Sequence, residues 1–200
     1  MYDKGKKEVS GHDLLKEKNL TYEDYASIDD GLRYELADGQ LELMSPGASV
    51  THQMLSFEMQ KVIAKSCESE YLILCAPLDV ILAPKEVRQP DLILVHRQRM
   101  NIIKKHGIEG PPDLVVEILS PSSIKRDKMD KLETYALYQI PEYWIVEPQT
   151  GILEAYILQG KQYKLANIFL EDEIVTSPHI PCLSFTMAEI MDKIPDLEDE

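Results

Sequence analysis

The sequence predicts a single α/β domain with a mixed central β-sheet flanked by helices. Apolar segments with helical spacing alternate with short runs rich in Val, Ile and Leu, and strong turn signals lie between them. A length of 200 residues suits one hydrophobic core, and no internal repeat or long linker divides the chain. We therefore expect a lead-in over residues 1–20, one domain over 21–188 and an acidic tail over 189–200.

The first predicted elements are a short helix, a hairpin and a long helix. Thr21 is followed three residues later by Asp24, the pattern of a capping box at a helix start. Asp38-Gly39 lies between two alternating runs and predicts a β-hairpin, because both turn residues must tolerate positive φ. Apolar residues at helical spacing then predict an amphipathic helix over 51–66.

The remaining chain predicts strands around one more helix. Three apolar runs are candidate strands, and a basic segment from Arg97 to Gly110 separates the last two: YLILCAPLDVILA, RQPDLILVH and DLVVEILS. A helix is expected over 126–138, followed by the strand EYWIVEP, in which the lone Trp144 should pack in the core. A hairpin around Gln159-Gly160 and a short C-terminal helix complete the prediction.

Composition excludes several classes of protein. No stretch of 18 apolar residues exists, so no membrane span is expected, and the N-terminus lacks the apolar core of a secretion signal. The three cysteines, Cys67, Cys75 and Cys182, are scattered and have no CxxC spacing. This usage predicts reduced thiols in a cytoplasm rather than a disulfide or a zinc site.

The formal charge of −14 would normally argue against a nucleic-acid partner, since basic residues drive phosphate binding. The charge is unevenly distributed, however. Between Pro84 and Lys131 ten Lys or Arg face seven Asp or Glu, a net +3 that leaves −17 for the rest of the chain. The simplest interpretation of this basic segment is a solvated loop with ordinary surface lysines.

Glu117 is the residue that most needs an explanation, because it interrupts an apolar strand where an unpaired charge costs several kcal/mol. Asp113 lies four residues away on the same face, about 13 Å at ~3.3 Å per residue, too far to share an ion. Asp91 precedes the neighbouring candidate strand and is expected within a few Å of Glu117. Two converging carboxylates repel each other unless a cation lies between them. Mg²⁺ is such a cation, because proteins bind it through one or two carboxylates and several waters. The alternative is a partly exposed Glu117 paired with a lysine.

A metal site that cuts phosphodiesters also needs a cationic side chain near the scissile phosphate. Alternation directs residue 119 to the same side as Glu117, but Leu119 stands there. In the following helix, polar and aromatic residues recur at i, i+4, i+8 and i+11: Asp127, Lys131, Tyr135 and Tyr138. Lys131 could therefore reach back over the strand end; the alternative is an i,i+4 salt bridge to Asp127.

These motifs together resemble the Uma-type putative restriction endonuclease family of the PD-(D/E)XK nuclease superfamily. The resemblance covers roughly residues 20–165. It rests on PD at 90–91, VVEILSPSS, the RDxxxKxxxY spacing that begins at Arg126, EYWIVEP, RYELADGQLELMSP and His52. It implies a restriction-endonuclease-like core, a mixed sheet between helices with a divalent metal held at a strand pair.

The resemblance also implies roles for individual residues. Asp91 and Glu117 would hold Mg²⁺ or Mn²⁺, and Lys131 would replace the lysine missing at Leu119. Glu35 would be an additional acidic residue near the metal and His52 a polar neighbour. Ser120 and Asp127 would shape the mouth of the site.

Two functions follow as hypotheses. The first is a Mg²⁺-dependent endonuclease that hydrolyses DNA as a homodimer, since cutting both strands calls for two sites. Contacts to the DNA backbone would come from basic side chains: Arg97, Arg99, Lys104, Lys105 and Lys125. The second is a catalytically inactive nuclease fold that serves as a binding or regulatory protein, favoured by the acidic balance and by Leu119. Convergence of Asp91, Glu117 and Lys131 on one point would favour the first.

A hydrolase or transferase that acts on a small substrate has little support. The sequence contains no G-x-S-x-G elbow and no Gly-rich phosphate loop. The five histidines are not spaced as metal ligands.

Overall fold

The computed structural model describes residues 10–45 and 47–197, and its mixed α/β architecture confirms the predicted fold class. The α-helices are α1 Gly11–Leu14, α2 Tyr22–Ala26, α3 Val50–Cys67, α4 Lys131–Leu137 and α5 Met187–Met191. A π-helical segment, Arg126–Asp130, runs directly into α4. The predicted lead-in and acidic tail lie partly outside the described residues.

Fourteen strands are present in the described residues. In chain order they are β1 Tyr34–Ala37, β2 Gln40–Leu43, β3 Tyr71–Cys75, β4 Val80–Ala83, β5 Glu86–Arg88, β6 Leu92–His96, β7 Ile103–Lys104, β8 Gly107–Glu109, β9 Leu114–Ile118, β10 Glu142–Val146, β11 Leu153–Gln159, β12 Gln162–Phe169, β13 Ile174–Val175 and β14 Phe185–Thr186. They form two mixed six-stranded sheets and one two-stranded ribbon, β13-β14.

The central sheet has the order β12-β11-β10-β9-β6-β3. All its neighbouring strands are antiparallel except β9 and β10, which are parallel and are connected through α4. The second sheet has the order β2-β1-β5-β4-β8-β7. The β1–β2 hairpin of this sheet turns at Asp38 and Gly39, with φ of 45° and 73°. Its Glu35 lies 3.5 Å from Lys131 at the start of α4.

The central sheet is covered on both faces. On one face, Leu55, Met59 and Ile63 of α3 pack with Val116 and Trp144. The alternate residues of the same strands point the other way, where Val115 and Leu119 pack with Tyr135 of α4. A third cluster, with Val80, Ile93 and Ile108, joins the second sheet to that face. Strand β9 is therefore buried on both sides.

Two of the predicted strands are each divided in two. The run from Tyr71 divides at Ala76-Pro77, and its halves, β3 and β4, lie in different sheets. The run RQPDLILVH forms β6 only from Leu92 onward, and its first residue, Arg88, is the last residue of β5 in the other sheet. Proline lacks the N–H that a ladder needs, so the chain changes sheets at these points.

The predicted basic loop has regular structure. Residues Arg97–Ile102 form two 3₁₀ turns with a kink at Arg99, and β7 and β8 add a small hairpin at the edge of the second sheet. No helix among the described residues is long and apolar enough to cross a membrane.

The prediction of three reduced thiols is wrong. Cys67, at the end of α3, and Cys182, before β14, form a disulfide with a Cα–Cα distance of 5.3 Å. The exposed Cys75 is free. The two bonded residues are 115 apart in the chain, and only the packing of the C-terminal segment on α3 brings them together. Their spacing alone could not reveal this contact.

Candidate active site

Glu117 lies in the middle of the central sheet and is only 3% exposed. Strand β9 pairs with β6 on one side and β10 on the other, and its five residues are all buried. Because Glu117 shares a face with Val115 and Leu119, its side chain is directed toward α4. The alternative of a partly exposed glutamate is therefore wrong, although Glu117 does pair with a lysine.

That lysine is Lys131, at the first position of α4 and only 2% exposed. Its Nζ donates to Glu117 Oε1 at 2.7 Å and lies 3.4 Å from Asp127 Oδ1 and 3.5 Å from Glu35 Oε1. One turn further along, the Tyr135 hydroxyl donates to the same Glu117 oxygen at 2.8 Å. The i,i+4 contact with Asp127 and the predicted contact with the strand thus occur together.

Glu35 reaches this cluster from the second sheet. It is fully buried on β1, where its Oε1 accepts the Gln89 N–H at 2.8 Å and its Oε2 lies 3.4 Å from Arg88 Nη1. Burial acts to raise the pKa of Glu35, but Lys131, Arg88 and the Gln89 N–H outweigh it and lower that pKa to about 2. Glu35 is therefore an ionised partner of the lysine.

Asp91 approaches Glu117 from the neighbouring strand. The antiparallel register pairs Leu92 with Val116, so its continuation sets Asp91 opposite Glu117. Asp91 Oδ2 accepts the Ile118 N–H at 2.8 Å and contacts His52 Nε2 at 3.1 Å.

His52 enters from the first turn of α3. Its backbone N–H donates to the N-cap hydroxyl of Ser49 at 3.2 Å. Its ring nitrogen Nδ1 is buried without a hydrogen-bond partner among the described residues. Burial acts to lower the pKa of His52, but the hydrogen bond to Asp91 and the carboxylate charge raise it overall. His52 therefore steadies Asp91 from the α3 side of the sheet.

Around Lys131, the cluster contains fewer cationic side chains than carboxylates: Glu117, Glu35, Asp127 and Asp91. Burial raises the pKa of the Glu117 carboxyl to about 8; Lys131 opposes this rise, while Asp127, Asp91 and Glu35 add to it. Burial acts to lower the pKa of Lys131, but the surrounding carboxylates raise it, so the lysine stays charged. Glu117 is accordingly the carboxyl of this group that burial and the neighbouring carboxylates disfavour most as an anion, and Lys131 is the cation that opposes this effect.

These side chains open into a cavity of about 650 Å³. Its charged lining side chains are Arg33, Arg126 and Lys131 against Asp91, Glu117 and Asp127, with His52 beside them. Three cations therefore face three carboxylates. A second cavity of about 630 Å³ lies between α3 and α5; two of its charged residues, Glu58 and Lys61, pair with each other at 2.7 Å, and none of the predicted site residues lines it.

The donor atoms fit a hard divalent cation with few protein ligands. Among the hydrogen bonds of the described residues, none uses Asp91 Oδ1 or Glu117 Oε2, and both residues line the cavity. Within the same residues, no group of three or more His, Cys, Asp or Glu side chains is arranged to hold a metal. Two carboxylates with several waters are, however, the usual protein environment of Mg²⁺.

Four of the five predicted DNA-contacting residues lie away from this cavity, and Lys125 is the exception. Arg97 donates to the Glu68 carbonyl at 2.9 Å, and Arg99 pairs with Asp113 at 2.6 Å. Asp113 precedes β9, whereas the cavity lies at the other end of that strand, roughly 13 Å away at ~3.3 Å per residue. Lys104 and Lys105 are exposed on the small hairpin, and Lys125 is exposed next to Arg126.

Sequence reasoning assigned no role to three residues of the cluster. Tyr135 and Arg126 were part of the recognised RDxxxKxxxY spacing, so a signal for both was present. Arg88 gave no such signal, because its burial against Glu35 depends on how two distant strands meet in the second sheet.

The family model of Uma2, described as "Putative restriction endonuclease", matches residues 21–188. Among solved structures, the chain is similar to the crystal structure of a putative nuclease belonging to DUF820 from Anabaena variabilis ATCC 29413. The TM-score is 0.70 at 16% sequence identity, and the match covers 86% of this chain and 98% of that chain. At this identity the likeness establishes the fold, which is restriction-endonuclease-like. No curated protein matches the sequence.

Proposed function

Because the chain belongs to the Uma2 family of putative restriction endonucleases, we propose that it is a Mg²⁺-dependent endonuclease that hydrolyses phosphodiester bonds of DNA. The observation that carries the proposal is the meeting of Asp91, Glu117 and Lys131 at one cavity, with an oxygen of each carboxylate left without a hydrogen bond among the described residues.

Asp91 and Glu117 would hold the metal, Mg²⁺ or Mn²⁺. Such an ion, when bound, lowers the pKa of a coordinated water and neutralises charge on the phosphate. The remaining chemistry belongs to the chain. Tyr135 and Lys131 fix one oxygen of Glu117 and so aim the other at the cavity. His52 and the Ile118 N–H fix one oxygen of Asp91 in the same way.

The charge of the cavity supports an anionic substrate only when a cation is present. Three basic and three acidic side chains line it, so the metal-free cavity is close to neutral. A divalent cation would make it positive at the point where a phosphate must lie, which offsets the repulsion expected from a chain of net charge −14.

The proposed assembly is a homodimer, since each chain carries one such cavity and cleavage of both strands calls for two. Lys125 is exposed beside the cavity and is the best placed of the predicted backbone contacts. A cytoplasmic location stays a prediction, and the Cys67–Cys182 disulfide argues against it, because such bonds rarely persist in reducing compartments.

Incubation of supercoiled plasmid DNA with the protein and Mg²⁺ or Mn²⁺ tests the function. We expect cleavage that requires the metal and falls by at least about 100-fold in Asp91→Asn and Glu117→Gln. A dimer should yield linear DNA directly, whereas a monomer would first accumulate nicked circles. DNA binding without cleavage by the wild-type protein, unchanged in both variants, would instead favour the inactive binding module.

A further inference from the structure

We propose that Arg126, rather than Lys131, is the catalytic cation that contacts the scissile phosphate. The inference rests on the proposed nuclease function and assigns to this arginine the role that Leu119 cannot fill. Lys131 then acts as a positioning residue for Glu117.

Lys131 is already committed to other groups. Its ammonium carries three N–H donors, and three carboxylates surround it at 2.7 to 3.5 Å: Glu117, Asp127 and Glu35. At 2% exposure it has little access to a ligand in the cavity. A phosphate that competed for this ammonium would have to displace Glu117 from its closest contact.

Arg33 is also engaged. Its Nε and Nη2 both donate to Gln89 Oε1, at 3.3 and 2.7 Å. The Gln89 amide in turn donates to the Tyr25 hydroxyl and to Asp79, which fixes the acceptor that holds Arg33. Arg33 therefore has fewer donors for a ligand.

Arg126 is the one cavity-lining cation without a partner among the described residues. Its guanidinium takes part in none of their hydrogen bonds or ion pairs, and its Nε is buried without an acceptor. A buried donor left unpaired costs free energy, so the side chain is poised for an acceptor that arrives with a ligand. A guanidinium presents its donors as a planar fork that matches two phosphate oxygens.

The position of Arg126 suits this role. It begins the π-helical segment that leads into α4, next to Asp127 and five residues before Lys131. Its charge also helps to lower the pKa of Glu35, which puts the guanidinium within electrostatic reach of the carboxylate cluster. The phosphate-binding group and the carboxylates that would hold the metal thus face one space.

The test uses the full-length protein with Mn²⁺ and a fluorescein-labelled DNA duplex oligonucleotide whose phosphorothioate linkages resist cleavage. Binding is followed by fluorescence anisotropy for wild type, Arg126→Ala, Arg126→Lys and Lys128→Ala. Lys128 is the matched control, since it lies in the same segment but pairs with Glu154 and does not line the cavity. Calorimetric titration with Mn²⁺ alone provides a second readout for every variant.

We expect Arg126→Ala to bind the oligonucleotide roughly 10- to 100-fold more weakly, Arg126→Lys to retain part of the affinity, and Lys128→Ala to behave as wild type. Mn²⁺ binding should be unchanged in all of them. Equal oligonucleotide affinity for wild type and both arginine variants would overturn the inference while leaving the nuclease proposal intact. Failure of the wild-type protein to bind the oligonucleotide at all would defeat both. If Arg126→Ala does not fold, Arg126→Lys decides the matter.

Discussion

At the scale of single residues, the buried Glu117 is stabilised by what surrounds it rather than by solvent. One oxygen accepts from Lys131 and Tyr135, while the other faces the cavity. The sequence predicted that such a carboxylate needs a partner, and it identified Asp91 and Lys131 as the candidates. It could not predict that Lys131 would be enclosed by three carboxylates, because Glu35 arrives from a different sheet.

Replacement of Lys131 by Met tests whether the lysine neutralises the cluster. The change leaves Glu117, Glu35 and Asp127 close together without their shared cation, so we expect the free energy of unfolding to fall by about 3 to 5 kcal/mol in EDTA. Urea unfolding measures the loss. Added Mn²⁺ should restore more stability to Lys131→Met than to wild type, since the cation relieves the repulsion.

The matched control is Lys128→Met, which removes a half-exposed lysine from the preceding segment. Its pair with Glu154 is worth about 0 to 1 kcal/mol on the scale of surface ion pairs. Equal destabilisation by the two substitutions would mean that Lys131 contributes only as an ordinary surface charge.

At the scale of elements, patterns of neighbouring residues predict correctly those structures that depend only on neighbouring residues. The Thr21 capping box and the Asp38-Gly39 turn appear as predicted, because each depends on neighbours within four residues. The strands that switch sheets at Pro77 and Pro90 were merged in the prediction, although each proline was visible. The second sheet could not be predicted, because its strand pairings, such as that of Leu36 with Val87, join segments that are far apart in the chain.

The disulfide between α3 and the C-terminal segment makes a prediction about stability. Because it closes a loop of 115 residues, its reduction or the substitution Cys182→Ser should lower the free energy of unfolding by up to about 5 kcal/mol. Urea unfolding with and without a dithiol reductant measures this difference. Cys75→Ser, at the exposed free thiol, should leave the wild-type response unchanged. The disulfide would make no contribution to the free energy of unfolding if the wild-type transition did not change with the reductant. That transition would then also coincide with the transition of Cys182→Ser.

At the scale of the whole molecule, the site is assembled from four segments that the sequence keeps apart. The start of α3, β1 of the second sheet, the β6–β9 pair and the start of α4 supply His52, Glu35, the Asp91–Glu117 pair and Lys131. Pattern and distance alone predicted the pairing of β6 with β9, and the family resemblance added the rest. The basic segment from Arg97 to Gly110, by contrast, does not line the cavity, and its Arg99 pairs with Asp113 at the far end of β9.

Calorimetric titration of the protein with Mn²⁺ into the millimolar range tests the central claim, that Asp91 and Glu117 form a divalent-cation site, most directly. It requires no assumption about the DNA sequence. We expect a saturable binding signal for wild type and for the control Glu133→Gln, an exposed carboxylate on α4, and its loss in Asp91→Asn and Glu117→Gln. Identical titrations for all four proteins would contradict the claim and leave the two carboxylates as structural partners of His52 and Lys131.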